Sequence, residues 1–203
     1  MPIRRQFLLG VVGALAFPGL VRAQAATDSR LGERAFGHPD AKATVTEFFS
    51  LTCTHCAAFQ REVMPKITAE LIDTGRLRFL YRDFPLDQVA LTAAMVARAL
   101  PPERYEAFIS ALFASQDRWA FAPEGGNSTE ALAKMAALAG MPRPVFDATI
   151  ADDKLKQAIL AGQQQAETQY HIDSTPSFLC NGKTRSGEMG YGEFVQFISG
   201  AAG

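Results

Sequence analysis

Four residues, Cys53-Thr54-His55-Cys56, carry the densest chemistry in this chain of 203 residues. Two cysteines at this spacing lie one helical turn apart, so their sulfurs can close a small disulfide or supply half of a metal site. A structural zinc site takes four nitrogen or sulfur ligands, usually from a second such pair or two spaced histidines. The other candidates here are only Cys180, His38 and His171. Haem attachment needs a histidine directly after the second cysteine, where Ala57 stands. Three cysteines also exclude a disulfide-stapled scaffold. The pair therefore reads as a redox dithiol, with no metal and no cofactor.

Its two sulfurs should differ. Cys53 falls at the start of a helix, where unpaired N–H groups and the positive end of the helix dipole favour a thiolate. His55, when protonated, adds a cation within reach. Cys56, one turn further in, is expected to be buried and to act as the resolving thiol. Upstream, Thr44-Val45-Thr46-Glu47-Phe48-Phe49 is β-branched and aromatic without a polar face, as a covered central strand should be. Glu47 is the anomaly in it, because a carboxylate there costs free energy unless it is paired or protonated.

Around this junction the elements follow from pattern. Arg34-Ala35-Phe36-Gly37 suggests a short strand, and His38-Pro39-Asp40 an exposed turn. The helix from Cys53 carries Cys56, Phe59, Gln60, Val63 and Ile67 on one face, with a kink expected at Pro65 and an end at Gly75. Leu77–Tyr81 is a second covered strand; strand, helix, strand at this length implies a right-handed crossover and parallel pairing. From Leu86 to about Gln169 the signal is helical. Leu91, Ala94, Met95, Arg98 and Ala99 form one stripe, and Tyr105, Phe108, Ile109, Leu112 and Phe113 a sharper one.

Asn127 with Glu130 reads as a capping box for 131–139, closed by Gly140 and Pro142, and two more helices cover 145–150 and 154–168. Trp119 falls in a linker. His171 reads as a loop residue near the active edge, and Cys180 as a small core hydrophobe. Asn181-Gly182 between two strand-like runs predicts a hairpin, and a last helix carries Phe194, Phe197 and Ile198.

The N-terminus has a basic start at Arg4-Arg5, an apolar run to Leu20 and Ala23-Gln24-Ala25 as a cleavage site, so residues 1–25 read as an export signal, with a twin-arginine character. Pro18-Gly19 interrupts the run short of a membrane span. Its removal takes three arginines and no acid, leaving 17 basic against 21 acidic residues and a net charge near −4. That balance argues against nucleic acid as a partner. Export implies an oxidising compartment, the periplasm or beyond, where a CxxC can be a working disulfide.

The order strand, CxxC helix, strand, helical block, Thr-Pro, hairpin, helix resembles the DsbA family of thiol oxidases over essentially the whole mature chain. The matching motifs are Glu47-Phe48-Phe49-Ser50 leading into Cys53-Thr54-His55-Cys56, Arg82-Asp83-Phe84-Pro85-Leu86, and Thr175-Pro176-Ser177-Phe178 before Asn181-Gly182. The resemblance implies an α/β thioredoxin fold with a mixed central sheet and an inserted all-helical subdomain. Its parts would be residues 26–86, the helical insertion 87–169 and the returning part 170–203.

It also implies that Pro176 is cis and faces the disulfide, that Thr175, Pro176 and Thr54 contact substrate, and that Cys53, Cys56, His55 and Glu47 are catalytic, with Glu47 relaying protons for Cys56. The implied substrates are reduced or unfolded exported polypeptides, and the implied recycling partner is a DsbB-like, quinone-linked membrane oxidase. Only Ala26–Gly32 precede the first strand, which argues against a dimeric isomerase and for a monomer. Direction stays open: Thr175 before the proline is a feature that isomerases of this fold share, so a reductase or isomerase remains beside the oxidase. A non-catalytic binding or chaperone module is the reading from a different class.

Overall fold

The computed structural model describes residues 28–121 and 126–201. The export signal expected over 1–25 lies outside the described residues. A five-stranded mixed sheet forms the centre, in the order β1-β3-β2-β4-β5. Its strands are β1 (Arg34–Phe36), β2 (Ala43–Phe49), β3 (Leu77–Asp83), β4 (Ser177–Cys180) and β5 (Lys183–Ser186). β2 and β3 run parallel, with Glu47 opposite Tyr81, and the other three pairings are antiparallel. The parallel pair is joined through helical segments, as its crossover requires.

The connection begins with α1 (Thr54–Glu62), breaks at Val63, and resumes as α2 (Met64–Ile67) with a π turn over Thr68–Ile72. Pro65 sits in the first turn of α2, where its missing N–H leaves no bond unmade; this is the expected kink. Cys56, Phe59 and Ile67 are fully buried on the inner face. Removing a large apolar side chain of this kind from water is worth about 1.5–3 kcal/mol, so this face holds the helix on the sheet. Gly75, at φ +70°, ends the segment.

Six helices follow between β3 and β4: α3 (Gln88–Ala99), α4 (Pro102–Ala114), α5 (Gln116–Trp119), α6 (Ser128–Leu138), α7 (Arg143–Ile150) and α8 (Asp153–Tyr170). The single stripe expected on α3 is too narrow. All of Ala90–Arg98 except Thr92 is buried, because α4, α6, α7 and α8 surround the helix and its alanines allow close approach. Arg98 is tolerated there through a buried ion pair with Asp83 at the end of β3, and it donates to the carbonyls of Arg30 and Gly32, both at 3.1 Å. It thereby ties the helical subdomain to the sheet and to the N-terminal segment.

Two further expectations are corrected. Trp119 is no linker residue: it closes α5, is 1% exposed, and donates its indole N–H to the Leu112 carbonyl at 2.7 Å. Asn127 caps α6 by accepting from Thr129 and Glu130 N–H, but Glu130 pairs with Arg143 instead of completing the box. His171, expected as a loop residue, lies exposed just beyond α8 as its left-handed cap, at φ 55°, its N–H bonded to the Ala166 carbonyl. Cys180 is fully buried opposite Val45, as a core hydrophobe would be. After the hairpin, α9 (Tyr191–Ala201) packs against β4.

Candidate active site

β2 delivers the chain to Phe49, and a turn over Ser50-Leu51-Thr52 sets Cys53 at the N-cap of α1, its own N–H bonded to the Ser50 carbonyl at 3.1 Å. Several side chains lock that turn. Thr52 Oγ1 donates to Asp87 at 2.7 Å, while Ser50 Oγ accepts from the Leu86 N–H at 3.3 Å. From α5, the Gln116 amide donates to the Leu51 carbonyl at 2.8 Å and to the Cys53 carbonyl at 3.0 Å. Asp87 also caps α3, so one carboxylate holds both the reactive turn and the first helix of the subdomain.

The dithiol is present in its reduced form. The Thr175–Pro176 peptide is cis, and the Cys53 thiol donates to the Thr175 carbonyl at 3.3 Å. The Cys53 thiol is pushed down to about 5, chiefly because the Cys56 thiol donates to its sulfur. Burial opposes this; the Thr175 hydroxyl and the backbone N–H groups of Cys56 and His55 reinforce it. Thr175 Oγ1 is itself buried and has no other hydrogen-bond partner. Burial, the neighbouring Cys53 and Glu47 together push the Cys56 thiol well up, and this sulfur is fully enclosed. The two thiols thus titrate in opposite directions, as a helix start and a helix interior demand.

Glu47 lies on the inner face of β2 with Val45 and Phe49 and is 1% exposed. Its Oε2 has no hydrogen-bond partner. Burial first, and the Cys53 thiolate second, hold its carboxyl protonated far above the usual carboxylate range. His55 is exposed and turns to Glu188, with Nδ1 2.9 Å from Oε2. Glu188 chiefly, then the Cys53 thiolate, raise its pKa. On the Cys53 side the leading stabilisers are hydrogen bonds, one of them from the backbone of His55, so the imidazole acts as a secondary cation. Thr54 stands exposed at the first position of α1; in the proline loop Pro176 is buried and Thr175 half-buried.

All seven expected site residues therefore converge on this junction. Gln116, Asp87 and Glu188 were not foreseen. Asp87 could have been found as a cap before a helical run; Gln116 and Glu188 reach the site only through the tertiary fold. Among the described residues no three His, Cys, Asp or Glu side chains are arranged to hold a metal ion, and no helix is long and apolar enough to cross a membrane.

Comparison with known proteins gives concordant results. The family model described as Thioredoxin matches residues 29–199. The crystal structure of alpha-DsbA1 from Wolbachia pipientis superposes with a TM-score of 0.76 at 31% identity, over 84% of this chain and 91% of that one. That of a protein-disulfide isomerase from Novosphingobium aromaticivorans does so with a TM-score of 0.72 at 26% identity, over 84% and 97%. A protein of Rickettsia felis, provisionally named a protein-disulfide oxidoreductase, is 26% identical over 151 residues, 74% of this chain and 53% of its own. The chain spans about half the length of the curated relatives it matches. The match to the family model covers the strand-to-helix dithiol, the helical block and the proline loop alike, and the chain belongs to the thioredoxin family and, within it, to the DsbA-like proteins.

Proposed function

We propose that this protein is a dithiol oxidase that introduces disulfide bonds into exported polypeptides through Cys53 and Cys56. The observation that carries the reading is the opposed placement of the two thiols: Cys53 at the N-cap of α1, where the helix start favours a thiolate, and Cys56 fully enclosed one turn on, where burial favours the thiol. A stabilised Cys53 thiolate favours the reduced enzyme, and a couple whose reduced form is favoured gives its disulfide away.

In the cycle, a substrate thiolate attacks Cys53 Sγ of the oxidised enzyme. The Cys53–Cys56 bond breaks, and Cys56 leaves with the electron pair and takes a proton from Glu47, which sits protonated behind it. A second substrate thiolate then attacks the substrate sulfur of the mixed disulfide, and Cys53 departs as a thiolate. The substrate has lost two electrons and, to solvent, its two thiol protons; the enzyme holds Cys53 as a thiolate and Cys56 as a thiol, and Glu47 recovers its proton from solvent. A DsbB-like, quinone-linked membrane partner would return Cys53–Cys56 to the disulfide. The Thr175 carbonyl, which the Cys53 thiol now occupies, is the acceptor that an extended substrate segment would use in docking as an added strand, with Pro176 and Thr54 at its sides.

In this reading the protein works in the periplasm as a monomer, exported by residues 1–25, with residues 87–169 shaping the surface beside the dithiol. Thr175, whose hydroxyl lies beside Cys53, is the one observation that favours a reductase or isomerase of the same fold. Equilibration of Cys53–Cys56 with glutathione decides the matter. An oxidase gives a potential on the DsbA side, about −120 mV, and a value near the −270 mV of thioredoxin overturns the proposal.

A further inference from the structure

Resting on that reading, we propose that Glu188 is a positioning residue of the dithiol site, seating the His55 imidazole at the start of α1 beside Cys53 and favouring its imidazolium form. A backbone bond and a buried side chain on its two neighbours hold Glu188 in place. On one side, the Gly187 N–H donates to the Pro176 carbonyl at 2.8 Å, which fastens the segment to the proline loop. On the other, Met189 is 1% exposed, packed in the same core as Cys53 and Cys56. Between them the Glu188 carboxylate reaches back to His55 Nδ1 at 2.9 Å.

The contacts form a ring: α1 to Thr175 through Cys53, Pro176 to Gly187 through the backbone, and Glu188 to His55 at the helix start. A carboxylate on Nδ1 makes that nitrogen a donor and favours the imidazolium. The pair is too exposed to contribute much to stability, so its effect is on protonation.

Of the other charged or titratable groups on the surrounding elements, Asp117 and Arg118 on α5 are exposed and make no contact with His55, and the rest are engaged or enclosed. Cys56 and Glu47 are buried, Asp87 accepts from Thr52, and Asp173 accepts from Ser174. Arg61 pairs with Glu62, and Arg185 with Glu193. Glu188 is therefore the carboxylate that sets His55. With Glu188 raising the imidazole pKa before reduction, a new Cys53 thiolate forms beside a group already more cationic than an isolated histidine, and His55 takes up less proton from solvent.

The test is NMR titration of the His55 imidazole in the oxidised and reduced protein, unmutated and as Glu188→Gln, with His55→Ala to assign its signal. In Glu188→Gln the midpoint falls toward the ordinary histidine value of about 6.5. Reduction then draws a fraction of a proton onto His55 near neutrality, so the redox potential of this variant depends more steeply on pH than that of the unmutated protein. Glu188→Asp should recover part of the lost shift. An unchanged His55 midpoint, or equal pH dependences, overturns the assignment. The oxidase reading is judged separately, on the potential of the unmutated protein alone.

Discussion

Measuring the Cys53–Cys56 potential from roughly pH 4.5 to pH 8 tests the charge state on which the oxidase reading depends, with the sequence unaltered. The Cys53 thiol, ordinarily at 9.0, is pushed down to about 5. A thiol depressed in this way stabilises the reduced protein above pH 5, and the stabilisation disappears as the pH falls through 5. At pH 7 only two of the four units count, because an ordinary thiol would still be protonated. At about 1.36 kcal/mol per unit this stabilises the reduced form by about 2.7 kcal/mol. With ~30 mV equal to ~1.4 kcal/mol for a two-electron couple, the disulfide becomes more oxidising by about 60 mV. Cys56 adds almost nothing at neutrality, since it is protonated whether or not its pKa is raised.

The same charge state fixes the slope. Reduction takes up two electrons but only one proton wherever Cys53 is a thiolate, so the potential falls by ~30 mV per pH unit above pH 5 and by ~59 mV below it. An unshifted dithiol would follow the steeper line throughout this range. The assay is equilibration with glutathione at each pH, corrected for the pH dependence of glutathione itself, then acid quenching and mass-tagging of free thiols. A steep line maintained from pH 8 down to 5 would refute the argument from the helix start and its hydrogen bonds.

Other outcomes follow from the same geometry. His55→Ala should raise the Cys53 pKa by less than ~1 unit, equivalent to less than ~30 mV, because the hydrogen bonds around Cys53 remain; thiolate absorbance against pH measures it. Glu47 has its folded pKa raised, so its contribution to stability is complete below the unfolded value and is lost as pH rises toward the folded one. Glu47→Gln should accordingly gain about 1–3 kcal/mol at pH 7 and little at pH 4 in urea unfolding, while slowing the protonation of Cys56. Arg98→Met strands Asp83 in the interior and should lose about 3–5 kcal/mol, most of which a further Asp83→Leu change restores. Gln116→Leu leaves the Leu51 carbonyl unpaired, while the Cys53 carbonyl keeps the Ala57 N–H at 3.2 Å, so the loss should be that of one group, about 1–3 kcal/mol in the same measurement.

Local patterns made much of the site readable before any coordinates. A CxxC at a strand-to-helix junction and a Thr-Pro ahead of a strand are short-range signals, and both ends of the dithiol are set by them. Glu47 stood out because a carboxylate contradicts the strand around it. What stayed hidden arrives from distant chain: Gln116 lies 63 residues from the Cys53 carbonyl it binds, and Glu188 133 residues from His55. Neither residue type is unusual on a helix or in a turn, so no local pattern distinguishes it. Trp119 was misread for a related reason: α5 has four residues, too few for a period, and is stabilised by the burial of that indole. Arg98 was legible as a charge within an apolar stripe, but its partner lies on another element.

The depressed thiol also bears on the direction of electron flow. For a reductase, Cys53 must attack; for an oxidase, it must leave. Moving a thiol from 9 to about 5 raises its thiolate fraction at pH 7 from about 1% to about 99%, a gain near 100-fold. Intrinsic nucleophilicity falls with pKa at 0.4–0.5 logarithmic units per unit, roughly 40- to 100-fold over the same change. As an attacking group Cys53 therefore gains almost nothing. As a leaving group it gains throughout, since a lower pKa departs faster, and the Cys56 N–H, His55 N–H and Thr175 hydroxyl stand ready to receive the departing charge. Cys56 is placed in the opposite way, its thiol stabilised by burial and Glu47 behind it to keep the proton in reach. A site that improves departure without improving attack favours passing its disulfide on, and an insulin-reduction rate well below that of a thioredoxin, alongside rapid oxidation of a reduced peptide, is the kinetic signature it should leave.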